Sequence, residues 1–120
     1  MINVKDQIYS KLKEKYDHVT DTYPQEVNTY PVIQFLEEDN RVAEWTGEGE
    51  ASSYVLIKID IWDDKSTSAY AMEVNDLVAS FGFKRTACGD SPDPAGLKHK
   101  VMRFEAVIDN NDMQITSFSL

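Results

Sequence analysis

One cysteine in 120 residues is too few for an internal disulfide, and Cys88 has no second thiolate with which to hold a metal. No apolar run approaches the ~20 residues that a helix needs to cross a bilayer. Basic residues are scarce: twelve Lys and Arg face 21 Asp and Glu, a formal net charge of −9. Gripping nucleic acid depends on Lys and Arg neutralising phosphates, so this balance argues against it. It is compatible with DNA passing an acidic wall without sticking. The opening stretch, MINVKDQIYSKLKEK, alternates apolar and charged residues and lacks the apolar core of a secretory signal, so a cytoplasmic protein is expected. Also missing are a phosphate-binding glycine loop, a Gly-x-Ser-x-Gly turn, a His-Glu-x-x-His pair and any basic stretch interleaved with aromatics.

What is there has the balance of a globular chain, with 42% hydrophobic and 28% charged residues, and a length that fits a single domain, 1–120. Residues 3–17 carry Ile8, Leu12 and Tyr16 at helical spacing, with Tyr9 widening the stripe and Asn3 and Asp6 placed as a capping box. Residues 30–37 and 41–46 are rich in strand formers and flank the polar EEDN, which predicts a β-hairpin turning there. Pro31 belongs at a strand start or on an edge. GEGEAS, 47–52, reads as a mobile break. From Tyr54 to Asp63 apolar residues alternate: Val55, Ile57, Ile59 and Ile61 on one face, Tyr54, Leu56, Lys58, Asp60 and Trp62 on the other. The period turns helical over 66–81, with Gly82 as its stop. A short strand over 83–88, a loop in GDSPDPAG and an alternating strand over 98–109 follow. A turn at NND and a last short strand over 113–118 complete the pattern. The expected fold is α+β: a mainly antiparallel β-sheet with two helices packed on one face.

The acids Asp60, Asp63 and Asp64 at the end of the central strand raise the question of a metal or acid–base site. Alternation puts Asp60 and Asp63 on opposite faces, so they do not converge on one ion unless the strand bends. Lys58 shares a face with Asp60 and is its natural partner. Asp63 and Asp64 precede a helix whose exposed N–H groups favour carboxylates, and Ser66 or Thr67 would complete the cap. The structural reading outweighs the catalytic one. Neither His18 nor His99 belongs to a set with metal-ligand spacing. Cys88 is followed by an acidic loop, the opposite of what activates a thiol, so a half-buried structural cysteine is expected.

Surface remains. Tyr54 and Trp62 lie on the less apolar face of the central strand, Trp45 lies near a hairpin end, and aromatics are enriched at interfaces. The N-terminal amphipathic helix, YPVIQF, NRVAEWT, SYVLIKIDIWDDKSTSAYAMEVNDLVASFGFKR and HKVMRFEAVID together resemble the small tail-completion proteins of long-tailed phages and prophages, the tail terminators and tail-to-head joining proteins. The most specific phrases are IDIW before a Ser-rich helix start, GFKR after that helix, and the RF strand. The resemblance implies a structural virion protein of the tail or neck, assembled in the host cytoplasm, with no reaction and no cofactor. Its partners would be copies of itself in a ring, commonly a hexamer, the tail tube and the head connector. DNA would cross the lumen without specific binding. A head-closure component is the neighbouring alternative. From a different class, a small ligand- or metal-binding module or hydrolase using Asp60 and Asp63 is the other. The family supplies no motif residues to transfer. Arg41, Trp45, Lys58, Asp60 and Arg103 are the candidate interface residues because they mix charge and aromatic character on predicted solvent-side strand faces.

Overall fold

In the computed structural model, which describes residues 3–22, 29–110 and 115–116, two helices and a six-stranded sheet share one hydrophobic core. In chain order the elements are α1 (Lys5–Lys15), β1 (Val19–Thr20), β2 (Val32–Thr46), β3 (Gly49–Asp63), α2 (Ser68–Ser80), β4 (Lys84–Asp90), β5 (Lys98–Asp109) and β6 (Ile115–Thr116). The sheet runs β1-β2-β3-β5-β4, with β6 on β5 beside β4. All pairings are antiparallel except the short parallel one between β1 and β2, which the sequence did not predict. The α+β architecture is the expected one.

The inner face of the sheet follows from alternation. Val55, Ile57, Ile59 and Ile61 of β3 lie opposite Ala106, Phe104, Met102 and Lys100 of β5, and the four from β3 are wholly buried. Ile8 and Leu12 from α1 and Ala71, Val74 and Val78 from α2 close over them. Each buried Val, Ile or Leu among them contributes about 1.5–3 kcal/mol by leaving water. The helices are tied at their margins. Tyr9 donates to the Val19 carbonyl at 3.1 Å, and Tyr16 donates to Glu73 of α2 at 2.6 Å. Burial first, and then the Glu73 carboxylate, hold the Tyr16 phenol well above its ordinary pKa.

Helix ends follow the expected signals with local changes. Asn3 accepts from the Asp6 amide at 3.5 Å and donates to its carboxylate at 3.0 Å, a side-chain version of the capping box. At the start of α2 the capping oxygen belongs to Ser66, which accepts from the Ser68 amide at 3.3 Å, whereas Thr67 makes no such bond. Gly82 ends α2 with φ +93°, a conformation that favours glycine, and its amide reaches the Ala79 carbonyl at 2.8 Å.

The predicted hairpin at EEDN is overturned. Glu37–Asn40 lies inside β2, a single strand of 15 residues, and the reversal comes at Gly47 and Glu48. The strand carries these polar residues by leaving Glu38 exposed and half-burying Glu37, Asp39 and Asn40. A register shift between Glu37 and Asp39 absorbs the irregularity as a bulge. GEGEAS is correspondingly turn at Gly47 and Glu48 and strand from Gly49 onward. Thr46 holds the turn by accepting from the Glu48 amide at 3.3 Å and donating to the Gly49 carbonyl at 3.2 Å. Gly49 leaves it at φ +115°. The strand predicted over 83–88 extends to Asp90 and takes in the start of GDSPDPAG. Of the predicted last strand only Ile115–Thr116 is described. Most of the NND turn lies outside the described residues.

Candidate functional site

The outer face of the sheet carries the polar groups of interest. Lys58, Asp60 and Trp62 project from β3, and antiparallel register sets His99 of β5 opposite Trp62. Asp60 is 1% exposed, so it is not on the solvent side where alternation alone had placed it. His99 Nε2 lies 2.8 Å from Asp60 Oδ1, and the imidazole stacks on the Trp62 indole with centroids 4.4 Å apart and planes 13° from parallel. A carboxylate oxygen accepts, so Nε2 carries the proton of that bond and Nδ1 is the second ring nitrogen. Lys58 Nζ stands 3.5 Å from Asp60 Oδ2, the ion pair expected, yet that buried oxygen receives no hydrogen bond. The result is a fixed imidazole between an indole and a carboxylate.

Further along the same face the groups pair off. Arg103 donates to Glu38 at 2.9 Å across two strands, and Tyr54 donates to Glu105 at 2.8 Å. The Arg41 guanidinium covers the Tyr54 ring at 4.4 Å and meets Asp39 at 3.1 Å. Burial, followed by the Glu105 hydrogen bond, raises the Tyr54 phenol. Three of the five candidate interface residues, Arg41, Asp60 and Arg103, are thus drawn into cross-strand contacts, and Lys58 pairs with Asp60 within β3. Trp45, the fifth, stands apart at the hairpin end, 69% exposed.

His99 also lines one side of an open cleft of about 590 Å³, whose other walls are the start of α2 at Ser66–Ser68 and the loop from Asp90 to Asp93. The acids at the strand end do not gather into it as a set. Asp63 accepts from the Asp64 amide at 2.9 Å, and burial together with that neighbour pushes its carboxyl upward. Asp60 instead faces His99 across the sheet. Among the described residues no three His, Cys, Asp or Glu are placed to hold a metal ion. Cys88 is exposed, where a half-buried position was expected, because β4 is open along its whole length. At the end of β4 Asp90 pairs with Lys100 at 2.9 Å; that bond lowers the carboxyl and raises the ammonium.

Asp60 and His99 both fall on polar faces of predicted strands, but the sequence does not show the pair. Finding it required the pairing of β3 with β5 and a register good to one residue. Comparison with protein-family models and with curated proteins gives no match for this chain.

Proposed function

We propose that the chain is a structural assembly subunit, a phage tail terminator or tail-to-head joining protein that associates with copies of itself, caps the tail tube and meets the head connector. The observation that carries this reading is the distribution of the surface. Polar side chains on the outer face of the sheet pair across strands, while the β2–β3 hairpin thrusts a bare indole into solvent at its end. An exposed tryptophan is the residue type most enriched where proteins hold each other.

The phrases behind the family resemblance fall on elements that shape this surface. IDIW is the end of β3 that carries Asp60 and Trp62, GFKR leads into the open strand β4, and RF places Arg103 on β5. An acidic chain of this kind would let DNA slide through a ring rather than bind it. No turnover is assigned to the Asp60–His99 pair in this reading; it fixes the register of β3 on β5. The decisive experiment is binding to isolated tails and to isolated heads, alongside light-scattering mass over a concentration series. Saturable capture by tails supports the reading. Capture by heads alone moves the chain to head closure, and capture by neither removes the assembly role.

A further inference from the structure

We infer that the β2–β3 hairpin tip of one copy docks, through Trp45, into the groove between α2 and β4 of a second copy. The two large apolar side chains most open to solvent among the described residues are Trp45, at 69%, and Met72, at 70%. Trp45 is on the tip. Met72 is on the rim of a groove of about 330 Å³ floored by Met102 and bordered by Cys88. Each exposure is a cost that the other can relieve, since thioether and guanidinium groups both pack well on an indole.

Charge points the same way. From Val42 to Ile57 the chain carries Glu44, Glu48 and Glu50 and no cation. The groove is lined by Arg85 and Lys100, against one acid, Asp76. Lys100 is met by Asp90, but Arg85 donates to the Asn75 amide at 3.1 Å, so its charge is not neutralised there. Arg85 and Lys100 together balance Asp76 and Asp90, so in a chain of net charge −9 this groove is one of few places where an acidic tip meets no net repulsion.

The occupant must be a second copy. Met102, in the groove, pairs with Ile59, whereas the tip closes at Glu50 and Trp45. Nine residues of strand separate the two levels, roughly 30 Å. Because tip and groove are different surfaces, the contact is head-to-tail, and repetition gives a ring when the rotation closes. The inference rests on the assembly reading and supplies its interface.

Cys88, in the groove, provides the test. A chain with Ala43→Cys and Cys88→Ser, which keeps Trp45 and every acid of the tip, is mixed with differently tagged wild type and oxidised mildly. Circular dichroism checks that both are folded. The expected product is a mixed dimer in clear excess over same-type dimers, falling at least about tenfold when Trp45→Ala is added to the first chain. A mixed dimer no more abundant than same-type dimers, or one indifferent to Trp45→Ala, overturns the contact. Oligomers seen by light scattering without that dimer overturn this interface and leave the assembly reading standing. The dimer without capture by tails or heads does the reverse.

Discussion

On the inner face of β3, Val55, Ile57, Ile59 and Ile61 meet aliphatic and aromatic neighbours that would accept many other shapes of similar volume. On its outer face, Asp60 and Trp62 both meet His99 of β5, a partner that a shift of one residue would remove. The first face supplies most of the free energy of folding. The second decides which residue of β5 lies beside which residue of β3. A single strand therefore carries both stability and register, divided between its two sides.

Four experiments would break or sharpen that contrast. The largest effect is expected inside: Phe104→Ala, at a position with no exposure, should cost about 3–5 kcal/mol in urea denaturation. A loss below about 1 kcal/mol would mean that the inner face is not the main source of stability. Next comes Asp60→Ala, which strands the Lys58 ammonium and the His99 imidazole, with an expected cost of about 3 kcal/mol. Amide exchange should rise along the N-terminal half of β5 in that variant, and unchanged exchange there would deny Asp60 its part in register.

Asp63→Asn should have a smaller effect whose sign depends on pH. Burial and Asp64 raise the Asp63 carboxyl, so the folded protein favours the protonated form. Stability is then lost as pH rises from the unfolded carboxyl range through the higher folded value. The asparagine variant escapes this loss and should gain on wild type between acid and neutral pH; a constant difference across that range would contradict the shift. Smallest of all should be the coupling of Glu38 with Arg103, whose side chains are 30% and 40% exposed. A double-mutant cycle should give no more than about 0.5 kcal/mol.

The same division governs what could be read in advance. The inner faces of 54–63 and 98–109 and both helical stripes follow from periodicity alone, because burial there selects only for being apolar. Over 30–46 the structure departs from the reading because EEDN has turn composition, whereas here it continues β2 through a bulge, with Glu38 exposed and Glu37, Asp39 and Asn40 half-buried. β1 escaped notice because two residues carry no period; it exists through the Ile33 amide and the register that β2 offers it. At the candidate site the pairing of Lys58 with Asp60 was legible as a same-face neighbour on one strand. The pairing of Asp60 with His99 was not, because 39 residues separate them and only the fold brings them together.

The position of β5 in the sheet has a consequence for how the chain matures. It follows β4 in sequence but lies between β3 and β4 in space. While a ribosome releases the chain in order, β3 can pair with β2 as soon as both have emerged, yet its other edge stays vacant through the synthesis of α2 and β4. β4 has no sheet to join at all until residues 98–109 arrive. The gap must be kept open, and β3 must not be captured meanwhile by the wrong strand or by another nascent chain. A stall or truncation before Lys98 would leave a long apolar strand with an unsatisfied edge, the form in which such proteins aggregate.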